Sequence, residues 1–483
     1  MKGKKIVSTL LALLLLANLP VSALAADWDI GNGDITVNAG SGGQTVTQGS
    51  QVDVPDSAPV IKGSSTKNTV TINAEKDQTA NVTLSGANID GSNEGKAAVS
   101  TTGEGNVSIE LDGDSTLKSG KGHAGLEKKN GGKLTIADED KNGKLTAEGG
   151  KYGAGIGGGD QGAGSDITIS GGEVNATGGT SGAGIGGGYN GNGSDITITD
   201  GEVNATGGKY GAGIGGGEYG IGKDIIITGG EVNATGGRFS AGIGGGSRGT
   251  GSDITISGGE VNASGGVNGA GIGGGLRSKG KDITVSGDTK LKVQGGDEDH
   301  YDGAGAGIGD GGSNAYGTKI LGAEVEPDTS GLTTNGSIAY YAPGADMETD
   351  KPTSTTVGAS SQPEKPTDPG AERGADAPLY RVTDQDGKDI AHKAERKDGV
   401  LTVTVDADLA ILTGKLSSID TLKRQGIEKI VFVTNKAAST FQAADLLEKG
   451  ASSDEYRLTH DGTTVTFVVS EKKTDVSGIL IQP

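Results

Sequence analysis

Between residues 153 and 287 apolar positions recur in a fixed rhythm: two isoleucines one residue apart in DITIS, a valine and an alanine in EVNAT, an alanine and an isoleucine in GAGIG. The block repeats every 29 residues, as the columns Ile156, Ile185, Ile214, Ile243, Ile272 and Asp166, Asp195, Asp224, Asp253, Asp282 record. Apolar residues two apart mark a strand with one buried face. Ile167 and Ile169 therefore turn inward while Asp166, Thr168 and Ser170 turn outward. Val174 and Ala176 turn inward while Glu173, Asn175 and Thr177 turn outward. In the glycine-rich segment only Ala154 and Ile156 can point in, which leaves its glycines facing out. Three short strands with one apolar edge apiece meet at a common axis if the chain turns twice and returns one level up. That is one coil of a parallel β-helix, and repetition this strict describes a stack rather than a globule.

A helical reading fails on composition, because each glycine costs a helix interior roughly 1 kcal/mol relative to alanine and these segments carry glycine in runs. Pairs such as Gly171-Gly172 and Gly178-Gly179 instead mark corners. Each coil buries three Ile, one Val and two Ala. Looser versions of the coil precede the strict ones, at Val70-Ile72, Val82-Leu84, Val107-Ile109-Leu111 and Leu134-Ile136. The pattern predicts N-terminal coils and a cap over residues 26–150, strict repeats over 151–290, and a distorted coil with a closing cap over 291–345. Residues 346–378, with Pro352, Pro363, Pro366, Pro369 and Pro378 among Thr and Ser, read as an extended linker. Beyond it the chain is glycine-poor. Strand patterns at LYRVTD, GVLTVTV, KIVFVT and TTVTFVV and helical ones at SSIDTLKRQG and TFQAADLLEKG predict a small α+β domain over 379–483.

The first 25 residues read as a secretory signal: Lys2, Lys4 and Lys5, an apolar run from Ile6 to Leu16, and Ala23-Leu24-Ala25 before the cleavage point. The expected location is therefore outside the cell, secreted or associated with the surface of a Gram-positive bacterium. The apolar run is too short to span a bilayer, so no membrane insertion is expected. The chain has no cysteine, which suits a secreted protein that does not rely on disulfides. A net charge of −20 argues against nucleic acid or an anionic membrane as partner. The oligomeric state is not specified by the sequence, and a monomer is compatible with it.

The segments AGLEKKNGGKLTI, GKLTAEGGKYGAGIGGG and GSDITISGGEVNATGG resemble the secreted carbohydrate-binding domain proteins of Firmicutes. The resemblance covers roughly residues 27–320. It implies a right-handed parallel β-helix, binding of pectic polysaccharide and bound calcium, as in clostridial relatives. The C-terminal domain is similar to a module that often follows such helices and implies no activity.

Stacked coils turn identical residues into files. Strands pair about 4.8 Å apart, so the Asp166–Asp282 column brings carboxylates to like-charge distance. Cations, turn amides or splaying into water must relieve the repulsion, and the simplest reading is that each Asp caps its own turn. A calcium loop is suggested by DEDKNG, where Asp138, Asp140 and Asn142 place oxygen ligands at alternate positions before Gly143. The acid that should close such a loop is missing: Gly149 stands there, and Glu148 is one residue early. A plain polar turn is the alternative. A second acidic cluster, Asp297, Glu298, Asp299, Asp302 and Asp310, reads either as a cation site or as a solvated insertion.

The variable letters suggest a ligand. The residue before each glycine box is Tyr152, Ser181, Tyr210, Phe239 and Asn268, and Tyr189 and Tyr219 lie in the loop after it. Aromatic rings suit the apolar faces of pyranoses, and Lys209, Arg238, Arg248 and Arg277 suit uronate carboxylates. The outward glycines are expected to leave a side-chain-free floor between the two loops. The polysaccharide site is thus predicted at Tyr152, Tyr189, Tyr210, Tyr219, Phe239, Arg238 and Arg248, against a reading in which the rings merely cover a corner. Catalysis of the lyase or glycoside hydrolase kind is not expected, since it needs a one-off constellation. The acids here are periodic, and His123, His300, His392 and His460 stand apart. His460-Asp461-Gly462 reads as a hairpin turn. A structural stalk or adhesin that presents the C-terminal domain is the remaining alternative.

Overall fold

The computed structural model describes residues 25–315, 318–358 and, with a few positions excepted, 380–473. The predicted signal and most of the predicted linker lie outside the described residues. The chain divides into two compact units, residues 1–367 and 368–483.

The first unit is a parallel β-helix. Each strict coil supplies three strands, in the first of them Ile156–Gly157, Gly164–Ile169 and Glu173–Thr177. Equivalent residues pair one coil up without slippage: Ile156 with Ile185, Ile167 with Ile196, Val174 with Val203. Such register is enforced because a one-residue slip would send every inward side chain to the solvent face. Ala154, Ile156, Ile167, Ile169, Val174 and Ala176 are at most 1% exposed, and the same set recurs in the coils above. The looser N-terminal patterns also form strands of this stack, Val70–Ala74, Thr79–Asp90, Asn106–Asp112 and Leu134–Ala137.

The Asp column has a backbone role. Asp166, Asp195, Asp224, Asp253 and Asp282 all have φ between 52° and 55°, and the strand ladder passes from Ser165↔Ser194 to Ile167↔Ile196 around them. They are the residues at a bend that recurs in register in every strict coil. Aspartate and asparagine tolerate this left-handed conformation better than other side chains. The like charges are relieved singly, by Lys223 at Asp224, Lys281 at Asp282 and the Ser252 hydroxyl donating to Asp253.

The glycine box does not form an open floor. Gly153 to Gly159 are buried, as are their counterparts one coil up. A Cβ on Gly157 would lie 2.1 Å from the Gly186 carbonyl oxygen, and one on Gly158 would lie 1.9 Å from that of Gly162. The loop after the box folds back over it. Glycine is required there for contact between backbones.

Both ends of the stack are closed in ways the repeat does not announce. At the N-terminal end Ile35–Gly40, Gly43–Gln48 and Gln51–Pro55 form an antiparallel meander that continues the glycine-box sheet. The indole of buried Trp28 donates to Asp56 at 2.8 Å there. At the other end Ser337–Tyr341 adds to the third ladder and Ser354–Val357 pairs antiparallel with it. The expected linker therefore begins later than residue 346: a Ser-Thr-Thr-Val run, β-branched at its last three residues, makes a last edge strand, with Pro352 ahead of it, outside the ladder. The Glu324 carboxylate accepts the Gly307 and Ile308 amides at 2.7 and 3.1 Å. In the coil below, the corresponding amides of Gly271 and Ile272 find carbonyls of the next coil. Glu324 stands in for the missing level. Burial, with Glu324 and Glu326 nearby, pushes the Tyr340 phenol up to about 12.

The second unit has the predicted α+β composition, with a five-stranded and a four-stranded sheet and helices at Leu416–Arg424 and Ala443–Leu447. The second helix is shorter than expected because Ala438–Gln442 is a strand that buries Phe441 opposite Ile430. His460 is fully buried on the strand Glu455–Asp461 rather than in the turn, and Asp461↔Thr464 pairing closes the expected hairpin. Its ring lies between the Ser439 hydroxyl at 2.8 Å and the Thr434 hydroxyl at 3.2 Å.

Candidate functional site

The variable residues meet along one edge of the helix, and they do so across coils. The amide of Tyr189 donates to the carbonyl of Tyr152 at 2.8 Å. Glu218 does the same to Ser181, Ser247 to Tyr210 and Leu276 to Phe239. The loop after each box thus sits on the corner before the box of the coil below. A second set of bonds closes the edge, from the amides of Gln161, Asn190 and Tyr219 to the carbonyls of Tyr189, Glu218 and Ser247. Much of the backbone of the edge is thus engaged with itself, which leaves the side chains as the groups turned to a partner.

Five of those side chains issue from strained backbone. Gln161, Asn190, Tyr219, Arg248 and Arg277, spaced like the coils, all have positive φ between 54° and 65°. Glycine holds this conformation freely, whereas an ordinary side chain costs about 1 kcal/mol or more. In a chain with 94 glycines, this file contains none.

The predicted aromatic residues come together in two groups. Tyr152 and Tyr189 lie with ring centroids 5.6 Å apart, and Tyr189 meets Tyr219 edge-on at 6.1 Å. Tyr210 and Phe239 stack at 5.9 Å with planes 11° apart. Cations lie over these rings: Lys121 and Lys151 over Tyr152, Lys209 over Tyr210, Arg238 over Phe239 and Arg248 over Tyr219. A ring with a cation on its face attracts that cation by its quadrupole, at about 0.5–1 kcal/mol for exposed pairs. The cations are therefore held in place yet displaceable. Tyr219 is 46% exposed, the other four rings are half-buried, and Arg238 and Arg248 are exposed. All seven predicted residues thus belong to one edge. Lys121, Lys151, Gln161 and Asn190 also belong to it and were not anticipated. The visible signal for the last two was a non-glycine residue in every copy, followed by glycine in all but the last.

Arg277 is engaged differently. Its Nε and Nη2 donate to the two carboxylate oxygens of Asp302 at 2.9 and 3.0 Å. The remaining acids of that cluster are dispersed: Asp299 accepts the Tyr301 and Asp302 amides, Glu298 pairs with Lys319, and Asp310 accepts the Gly280 amide. At the expected calcium loop, Asp138 accepts the Asn142 and Gly143 amides, the Asn142 side chain donates to Asp140, and Asn142 Oδ1 accepts the Gly113 amide. These oxygens face N–H donors, an arrangement that fits a self-satisfied turn better than an ion. Among the described residues no group of three or more His, Asp or Glu is placed to hold a metal.

His123 does not stand apart. In the coil below the strict repeats, His123, Glu127, Lys128 and Lys129 occupy positions that are glycine above. The buried Glu127 carboxylate receives His123 Nδ1 at 3.0 Å and Lys129 Nζ at 2.7 Å. Burial pulls the Lys128 ammonium below its usual range, against the opposing charge of Asp166, and its Nζ donates to the Asn130 carbonyl. With Glu127 only 2% exposed in its side chain, the cluster fills space over the glycine box of the next coil and presents no accessible carboxylate.

The face made by EVNAT carries another unanticipated file. Asn204, Asn233 and Asn262 each donate a side-chain amide to the Asn one coil below, at 3.0, 2.9 and 2.7 Å. Beside it Glu173, Glu202, Glu231 and Glu260 stand in register, with Lys144 and Lys290 at the two ends.

Residues 141–160, 167–189, 196–218, 225–247 and 254–276 match the family model described as "Beta helix repeat". No curated protein and no solved structure matches the chain. The five matched segments are the strict coils whose loops build the aromatic and cationic edge, and the chain is accordingly a β-helix protein.

Proposed function

We propose that this edge binds polysaccharide without transforming it, that the preferred class is an anionic glycan such as a pectic uronate, and that the protein acts outside the cell. The file of side chains from Gln161 to Arg248 at positive φ carries the reading: side chains are retained where glycine would relieve strain. Around that file, rings offer faces to sugar C–H groups and displaceable cations offer partners to carboxylates. The saturated, buried Glu127 supports binding over catalysis. Pull-down against a panel of neutral and uronic wall polysaccharides tests it, run with and without EDTA, and absorbance at the unsaturated-uronide band monitors cleavage. Retention on uronic but not neutral polymers, with no absorbance rise, is the expected result. An absorbance rise indicates a lyase.

A stalk or adhesin is the second reading. It is favoured by the Asn file, which ties successive coils together through side chains of their third strands. Absence of retention on every polymer would leave that reading.

A further inference from the structure

The binding edge runs up the coils through Gln161, Asn190, Tyr219 and Arg248, and the equivalent position one coil further up, outside the binding set, is Arg277. Here the spacing of box isoleucines, constant from Ile156 to Ile272, lengthens before Ile308, and the added residues form an acidic loop. That loop is built into place. The Asn268 amide donates to the Asp297 carbonyl at 2.8 Å, and its fully buried side chain donates to the Asp302 and Gly303 carbonyls at 3.1 and 2.8 Å. Asp299 accepts the Tyr301 and Asp302 amides, the Asn314 side chain donates to the Tyr301 carbonyl, and Lys319 pairs with Glu298. The Asp302 residue, 4% exposed, meets the Arg277 guanidinium as a two-pronged fork. Burial alone would raise the Asp299 carboxyl, but the Asp302 and Tyr301 amides, with Arg238 and Lys319 nearby, hold it below its usual range.

We propose that Asp302 is a built-in carboxylate that occupies the last cationic position of the edge, so that the site ends at Arg248 and a polymer engages only the coils below. The proposal rests on the polysaccharide-binding reading of the same edge. A guanidinium held by an internal carboxylate in fork geometry offers little to an external one, because the two compete for the same donors. Arg277 contributes to ligand binding only when Asp302 is removed. The loop sets how many sugar residues the edge accepts.

The test measures binding of polygalacturonate oligomers to the full chain by calorimetry, for wild type, Asp302→Asn, Arg277→Ala, Arg248→Ala and the Asp302→Asn/Arg277→Ala pair. Expected is about tenfold tighter binding for Asp302→Asn, from one charge-assisted contact. That gain should be abolished in the double variant, while Arg277→Ala alone leaves wild-type affinity unchanged. Asp302→Asn keeps the side-chain volume. Should it nevertheless lower the melting temperature markedly, Arg277→Ala in the intact loop decides. Loss of wild-type affinity in Arg277→Ala equal to that in Arg248→Ala overturns the proposal, and so does unchanged affinity in a folded Asp302→Asn. Failure of every oligomer to bind wild type overturns the binding reading first, and this inference with it.

Discussion

Replacing Gly215 by alanine should break the stack at its centre. The residue sits at φ 131° in the box of the third strict coil, and a Cβ there would stand 2.0 Å from the Gly244 carbonyl oxygen one coil up. Ordinary contact would require the coils to separate locally by more than an ångström. Three bonds between these coils lie in the way: the amides of Ile214 and Gly216 reach the Gly242 and Gly244 carbonyls at 2.9 Å, and the Gly213 amide reaches that of Ala241 at 3.2 Å. Two such bonds lost at about 1 kcal/mol each, with about 1–3 kcal/mol for a side chain at that φ, come to a destabilisation of about 3–5 kcal/mol. Gly42 is the control, since a Cβ there meets nothing within 4 Å. Alanine at Gly42 should stay within about 0.5 kcal/mol of wild type. Because long repeat arrays depart from two-state unfolding, the assay is hydrogen exchange resolved by peptide, with protection read for residues 214–216 and 242–244. Equal protection in Gly215→Ala and Gly42→Ala would refute the argument that the box glycines exist for contact between backbones.

Three further outcomes follow from the structure. Burial holds His460 below its usual range, so the unfolded chain binds the extra proton more readily and stability of the C-terminal unit rises with pH. Protection of residues 455–461 should be full above the unfolded value near 6.5 and fall as pH drops below it, whereas His460→Gln should flatten the dependence. Asp138→Ala removes the acceptor of two turn amides at a site 7% exposed and should cost about 1–3 kcal/mol. EDTA should leave the wild-type melting temperature unchanged if the turn is self-satisfied, and a drop would restore calcium. Asn233→Ala interrupts the Asn file by leaving the Asn262 amide and Asn204 oxygen without their partners, and a loss of about 1–2 kcal/mol is expected by thermal melting.

The architecture was legible because a period-two pattern inside a fixed repeat determines both which side chains point in and which coils stack. Ile156, Ile167, Ile169 and Val174 needed nothing else. What one copy of the repeat cannot convey is contact between copies. Tyr152 and Tyr189 are far apart in sequence and meet only because each loop sits on the corner below. The Asn file follows from stacking identical outward residues, the same logic that lines up Asp166 and its column. The need of that column includes a backbone angle, which residue type hints at and only geometry reveals. His123 and Glu127 lie four residues apart on a segment without helical spacing, so their contact depended on the glycine box above leaving room for the side chains. The end caps break the repeat and could not be extrapolated from it.

The central claim, that the variable edge is a polysaccharide-binding surface, is tested most directly by one comparison of affinities for polygalacturonate. The double variant Tyr219→Ala/Arg248→Ala clears the exposed ring and its cation, and Asn204→Ala/Thr206→Ala alters outward residues of the Glu202–Thr206 strand. At fixed low salt, the first should weaken binding by at least tenfold with the fold intact, and the second should leave it unchanged. Equal affinity in the two variants, or no measurable affinity in wild type, would contradict the account.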